Sequence, residues 1–369
     1  MKILTIVGAR PQFIKAYPVS KAISENKNIE EVLLHTGQHY DFNLSQIFFS
    51  ELSLKEPDYN LGVGSASHGK QTGEMLRGIE NVIEKESPDL ILIYGDTNST
   101  LAGALSGAKC NIPVAHIEAG LRSINMKMPE EINRILADRI STYLFCPTQN
   151  AFNNLMNEGF GNFKYKGFKF EKPQVIFSGD VMYDAFLLCK KILKPSSEIQ
   201  KLTENISCFY LATIHRAENT DSKVNLKNII EAFEEISKEM PVVFPIHPRT
   251  REKLDKYNIS TNKVKLIEPV GYFDMLYLLE KCDKVLTDSG GLQKEAYFSG
   301  KPCITLRNET EWTELLEIGA NFLTGTKKDQ IIKAIEINFK LNRANKGIYG
   351  NGNASKIIVE SLYGFIDNI

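Results

Sequence analysis

Short apolar runs alternate along this chain with small or charged turns and then with stretches of helical period, and that rhythm predicts βα units built around parallel sheets. In the first half the runs are Lys2–Val7, Val32–His35, Leu90–Tyr94, Val114–Ile117 and Tyr143–Cys146. In the second they are Cys208–Ile214, Val242–Ile246, Val264–Ile267, Lys284–Thr287 and Cys303–Leu306. Two sheets of about five strands each are expected, one per lobe. Between them Gly159–Pro173 is rich in Gly, Lys and aromatics and lacks a helical period, so it reads as a surface excursion before the lobes join. The expected lobes are residues 1–176 and 177–353, with the helical spacing of 354–369 suited to packing back on the first. A length of 369 residues, at about 150 per domain, agrees with two lobes.

Composition narrows the partners. Hydrophobic residues make up 43% and charged residues 24%, enough for each lobe to bury a core. Lys and Arg number 44 against 45 Asp and Glu, for a net charge of -1, so nothing draws the whole molecule to nucleic acid or an anionic membrane and any anion site is local. Interleaved Lys and aromatic residues at Phe163–Lys166 and Phe168–Phe170 fit a short exposed hairpin better than a nucleic-acid surface. The six cysteines form no CxxC pair and several lie in apolar runs, which points to buried free thiols rather than a disulfide or zinc framework. The apolar start Ile3–Val7 is too short for a signal segment, and no stretch approaches the roughly 20 residues of a membrane span, so a cytoplasmic protein is expected.

Candidate chemistry collects at predicted strand ends. The first strand runs into Gly8–Lys15, where Pro11 suits a first helical turn; Arg10 then lies at the strand-to-helix junction and Lys15 one turn on, two cations for an anion. No GxGxxG is present, which speaks against a bound dinucleotide. Two later strands end in Gly95-Asp96-Thr97 and Glu118-Ala119-Gly120, placing two acids at adjacent carboxyl ends; capping of the next helix is the plain structural alternative for Asp96. Pro129 opens a helix whose apolar stripe is expected at Ile132, Ile135 and Leu136, and Glu130 is spaced to pair with Arg134 at i,i+4. In the second lobe His215 and His247 occupy equivalent strand ends beside arginines, where a phosphate could sit. The strand Lys284–Thr287 leads through Asp288-Ser289-Gly290-Gly291 into a helix, the arrangement that offers backbone N–H groups and a helix dipole to a phosphate. Glu295 lies one turn further, in reach of a ribose, and Arg307 follows the next strand.

Taken in order, GARPQFIK (Gly8–Lys15), YGDT (Tyr94–Thr97), HIEAGLR (His116–Arg122), PEEINR (Pro129–Arg134), HRAEN (His215–Asn219), DSGGLQKE (Asp288–Glu295) and YGNGNAS (Tyr349–Ser355) resemble the non-hydrolysing UDP-N-acetylglucosamine 2-epimerases over nearly the whole chain. The resemblance implies a GT-B-like fold, two Rossmann-type domains with parallel sheets facing across a cleft, in a homodimer with no NAD and no required metal. It implies a UDP-activated amino sugar as the ligand. Asp96, Glu118, Glu130 and His215 match the family's catalytic set; Arg10, Lys15, His247, Ser289, Gly290, Gly291, Glu295 and Arg307 are the expected substrate and UDP contacts. The short segment Arg122–Pro129, together with Gly179–Asp184 and Arg307–Trp312, is most similar to the branch acting on UDP-2,3-diacetamido-2,3-dideoxy-glucuronate, which serves surface polysaccharide such as O-antigen. Where UDP-N-acetylglucosamine enzymes typically read TTERPE, this chain has Glu309-Thr310-Glu311-Trp312-Thr313-Glu314.

The chemistry follows from the sugar. The C2–H of an acetamido sugar is not acidic, and without a nicotinamide the available route is departure of UDP from C1, which acidifies C2–H for a carboxylate. A GT-B glycosyltransferase would share the UDP cradle but needs an acceptor groove and not several acids; a hydrolysing epimerase would release UDP with product; a nucleotide-sugar sensor would bind without turnover.

Overall fold

The computed structural model describes residues 1–38, 55–162, 172–337 and 347–364. The chain forms two compact units, residues 1–188 with 346–369, and residues 189–345.

The first unit carries β1 (Lys2–Val7), β2 (Glu30–His35), β3 (Tyr59–Asn60), β4 (Leu90–Tyr94), β5 (Val114–Ile117), β6 (Tyr143–Cys146) and β7 (Gln174–Phe177). They make one parallel sheet in the order β3-β2-β1-β4-β5-β6-β7. The second unit carries β8 (Tyr210–Thr213), β9 (Val242–Pro245), β10 (Lys265–Ile267), β11 (Lys284–Thr287), β12 (Cys303–Thr305) and β13 (Asn321–Leu323), again parallel, in the order β10-β9-β8-β11-β12-β13. Each is the doubly wound Rossmann-type order, and it reverses between β1 and β4 in one unit and between β8 and β11 in the other. Ligands bind outside the carboxyl ends of the strands at such reversals. The central strands are apolar on both faces because helices cover both: Ile3, Leu4, Ile6 and Val7 in β1 and all of β4 are fully buried.

Among the described residues the sheets have seven and six strands rather than about five. The additional strands β3, β7 and β13 lie at sheet edges, are short and carry polar residues, so no apolar run announces them. The hairpin expected at 163–170 lies outside the described residues. Helix Ala354–Tyr363 belongs to the first unit, where Ala354, Ile358, Val359 and Leu362 share a core with Val19 and Ile23 of helix Arg10–Ser24. The division between units falls after Leu188, inside helix Val181–Ile192, whereas the sequence places it at 176/177.

One helix departs from its expected face. In Pro129–Ile140 the apolar stripe is inverted: Ile132 and Leu136 are 40% and 45% exposed, while Glu131, Asn133, Arg134 and Asp138 are buried. Four of the cysteines, Cys146, Cys189, Cys282 and Cys303, are buried and all six are free; burial pushes the Cys282 and Cys303 thiols up to about 12. No helix among the described residues is long and apolar enough to cross a membrane.

Candidate functional site

At the carboxyl ends of β1, β4 and β5 the first unit gathers its charged groups. Gly95, at φ +64°, turns the chain out of β4, and its backbone N–H donates to Ile117 O at 3.0 Å. The next helix, Asn98–Lys109, is capped by Thr97, whose hydroxyl accepts from Thr100 N. Asp96 is therefore not the cap. Its carboxylate, 31% exposed, pairs with Arg134 Nη2, and its carbonyl accepts from Asn133 Nδ2 at 3.0 Å. Glu118 follows β5 with φ +72°, a left-handed conformation that non-glycine residues rarely hold, which marks a position imposed by its surroundings. Its Oε2 forms a buried ion pair with Lys15 Nζ. Lys15, expected to face an anionic ligand, is thus taken up by an acid of its own unit. Arg10 opens its helix, as expected at the strand-to-helix junction.

Arg134 does not pair with Glu130. Its Nη1 reaches Glu131, the i,i+3 neighbour, because Glu131 faces inward from the first helical turn while Glu130 is exposed. Glu131 in turn accepts from Ser123 N and Oγ and from Ile124 N, each at 3.0 Å. Burial works against its ionisation, but the Ser123 amide and Arg134 outweigh it and hold the carboxyl below its usual range. Glu131, Arg134 and Asp138 lie three and then four residues apart, the spacing of a buried helix face, so the polar inward stripe was present in the pattern although the apolar residues misdirect it.

Behind the acids is a buried polar core. His116 Nδ1 lies 2.8 Å from Asp138 Oδ1 and Nε2 lies 2.7 Å from the Gly95 carbonyl. Both partners accept, an arrangement satisfied when the ring carries both protons. Asp138 Oδ2 also accepts from Gly120 N at 3.1 Å and Arg122 Nη1 at 2.7 Å, and Arg122 is held bidentately by Glu158. Complete burial opposes ionisation of Asp138, yet His116 and Arg122 hold it below the ordinary aspartate value.

The second unit presents a different chemistry. Helix Gly290–Phe298 begins after β11 with Ser289 as its cap, Oγ accepting from Leu292 N at 3.4 Å. Glu311 fills the space a side chain at Gly290 would need, its other oxygen 2.9 Å from Arg307 Nη1; a carboxylate thus stands against the first turn, where the helix favours an anion. Glu295 and Arg307 are buried, at 6% and 4% exposure. Asp288, fully buried and not singled out by sequence, accepts from His215 N, Arg216 N and Asn219 Nδ2 at 3.0–3.2 Å. It fixes the loop after β8 and sets the His215 ring 6.3 Å from that of His247, the two expected strand-end histidines. Lys294 is buried with its ammonium 4.0 Å over the Trp312 ring. No group of three or more His, Cys, Asp or Glu side chains suited to a metal occurs among the described residues.

Comparison with known proteins converges on one group. The model of the UDP-N-acetylglucosamine 2-epimerase family matches residues 21–363. A UDP-N-acetylglucosamine 2-epimerase homolog of Methanococcus maripaludis is 51% identical, over 98% of this chain and 99% of its own. The UDP-2,3-diacetamido-2,3-dideoxy-D-glucuronate 2-epimerase of Pseudomonas aeruginosa is 50% identical over 98% and 99%. The crystal structure of Methanocaldococcus jannaschii UDP-GlcNAc 2-epimerase in complex with UDP-GlcNAc and UDP superposes with a TM-score of 0.89, at 45% identity over 98% of this chain and 99% of that one. With an acid at each of two neighbouring strand ends in one Rossmann-type unit and a Ser289-capped helix opening after β11 in the other, the chain belongs to the UDP-N-acetylglucosamine 2-epimerase family of isomerases.

Proposed function

We propose that the protein inverts C2 of a UDP-activated 2-acetamido sugar by eliminating UDP and adding it back across a 2-acetamidoglycal. The C1–O bond breaks with its electron pair leaving on the diphosphate, and a carboxylate takes the C2 proton; in return a proton reaches the other face of C2 as UDP re-forms the C1–O bond. Asp96 and Glu118 supply the two proton-transfer positions, Glu130 orients or stabilises, and His215 assists the departing diphosphate. Ser289, Gly290, Gly291, Arg307, His247 and Arg10 hold UDP, with Glu295 on the ribose, while Lys15 backs Glu118 instead of the diphosphate. The observation that carries this reading is the pair of acids at the ends of β4 and β5, one held by Arg134 and the other by Lys15. A glycosyltransferase has no use for both.

The substrate is UDP-2,3-diacetamido-2,3-dideoxy-glucuronate, converted to the mannuronate epimer for surface polysaccharide. Half of the chain is identical to the Pseudomonas aeruginosa enzyme of that name across nearly its full length. UDP-N-acetylglucosamine is the second reading, favoured by the 45% identity to the Methanocaldococcus jannaschii enzyme seen with that ligand. An NMR time course on both nucleotide sugars in deuterated solvent separates them. The expected result is an epimer from the diacetamido glucuronate carrying deuterium at C2. Turnover of UDP-N-acetylglucosamine alone would reverse the choice, and a product without deuterium would exclude the route.

The protein acts as a cytoplasmic homodimer. Ile124 and Met126 are 90% and 61% exposed just before helix Pro129–Ile140, whose Ile132 and Leu136 also face outward, and so much uncovered apolar surface in one stretch suits a partner.

A further inference from the structure

We propose that His116 and Asp138 form a positioning pair for the two acids, holding by hydrogen bonds the backbone beside Asp96 and beside Glu118. The inference rests on the reading of Asp96 and Glu118 as the proton-transfer groups. Neither His116 nor Asp138 touches solvent, so neither meets a substrate. What they hold is specific. His116 Nε2 donates to the carbonyl of Gly95, the residue before Asp96, at 2.7 Å, and Asp138 Oδ2 accepts from the N–H of Gly120, two residues after Glu118, at 3.1 Å. Asp138 Oδ1 closes the link through His116 Nδ1 at 2.8 Å. The turns after β4 and after β5 are thus tied to one buried carboxylate, with a single ring between.

The tie matters because Glu118 holds a backbone conformation that residues with a side chain rarely adopt, and the glycine turn before Asp96 packs against it. Gly95 is at φ +64° and Glu118 at φ +72°, and a side-chain atom at Gly95 would stand 3.3 Å from Glu118 Oε2 and 3.2 Å from Lys15 Nζ. The Gly95 turn thus lies directly against the Lys15–Glu118 pair, and its orientation sets where Asp96 leaves β4. The rest of the network keeps Asp138 from turning. Arg122 donates to Asp138 Oδ2 at 2.7 Å and is locked by Glu158 at 2.6 and 2.9 Å. Helix Pro129–Ile140 then contributes to both ends of the device, since Arg134 on the same buried face holds the Asp96 carboxylate while Asp138 holds the backbone.

The test compares His116→Gln, Asp138→Asn and the double variant His116→Met/Asp138→Leu with the wild-type enzyme, reading kcat and KM for the nucleotide sugar, the Kd of UDP and Tm. The double variant removes both partners at similar volume and leaves Arg122 its bidentate acceptor, so it is expected to fold even where a single variant does not. Displacing a reacting group by about an ångström costs on the order of 100-fold, so kcat should fall about 10- to 100-fold, with KM and the Kd of UDP within about threefold of wild type. Any folded variant that keeps kcat within threefold overturns the proposal. So does an equal loss of kcat and UDP affinity, or unfolding of single and double variants alike, since each would reduce the pair to a support of the fold. An inactive wild type would instead sink the functional reading, and the two failures are distinguished by that control.

Discussion

Asp96 and Glu118 are carboxylates in unlike settings. Asp96 remains 31% exposed beside Arg134, while Glu118 is 7% exposed, backed by Lys15 and fixed in a left-handed backbone. A pair of groups serving opposite faces of one carbon has to be held at two fixed positions rather than share a pool of water. Asp96→Asn and Glu118→Gln should each lower kcat by about 100- to 10,000-fold, as loss of a proton-transfer group does, with UDP affinity retained because neither acid is among the proposed UDP contacts. A coupled epimerase assay with calorimetric titration of UDP checks both halves, and a fully active variant would remove that residue from the mechanism. The sequence left capping open as an alternative for Asp96, and the structure gives that role to Thr97. What separates them is one position of the turn, because Thr97 lies where its hydroxyl meets the Thr100 amide and Asp96 is left for Arg134. That partnership joins residues far apart in the chain, and no local spacing encodes it.

Between elements, two segments that mark the family resemblance turn out to bind each other. Gly179–Asp184 and Tyr349–Ser355 meet where Asp180 N donates to Tyr349 O at 3.0 Å, and a side chain at Gly179 would stand 3.0 Å from that carbonyl and 3.1 Å from Gly350 Cα. Asp184, buried in helix Val181–Ile192, accepts from Ala354 N, Ser355 N and Ser355 Oγ at 2.7–3.2 Å and so caps helix Ala354–Tyr363. Asp184→Ala leaves these donors without their acceptor and should cost about 1–3 kcal/mol, read as a lower urea midpoint. An unchanged midpoint would show that the C-terminal helix is held by its apolar face alone. Much at this scale is legible: the central strands β1, β4, β5, β6 and β11 match their apolar runs residue for residue, because strands buried on both faces are written as continuous apolar sequence. Edge strands are not, since β3 and β7 are each covered on fewer sides and mix polar with apolar residues. Helix Pro129–Ile140 fails for a different reason, its inward face being charged to serve the site and its outward face apolar.

At the scale of the whole molecule a net charge of -1 conceals opposing electrostatics inside the first unit, and two measurements expose it. The outward apolar residues of helix Pro129–Ile140 should hold two copies together, so Ile132→Glu/Leu136→Glu is expected to sediment as a monomer where the wild type sediments as a dimer; a wild-type monomer would remove the dimer from the functional reading. The second measurement is stability against pH. Asp138 is held below the ordinary aspartate value of about 3.9 by His116 and Arg122, so the folded state binds its proton less readily than the unfolded chain. Its contribution is present above that value and is lost as pH falls through the folded one. Glu31 behaves oppositely: half-buried beside Thr5 and Ser20, with hydroxyl donors at 2.5 and 3.0 Å, its carboxyl is raised because its removal from water outweighs those donors. The folded state then binds its proton more readily, and its contribution is present below the ordinary glutamate value of about 4.3 and lost as pH rises through the raised one. Asp138→Asn should therefore lower stability at neutral pH and make the loss below about pH 4 shallower. Glu31→Gln should instead raise stability at neutral pH relative to wild type, with that advantage shrinking as pH falls toward 4. Urea titrations at a series of pH values check both slopes, and parallel curves for wild type and either variant would show that its carboxyl titrates alike in the folded and unfolded chain.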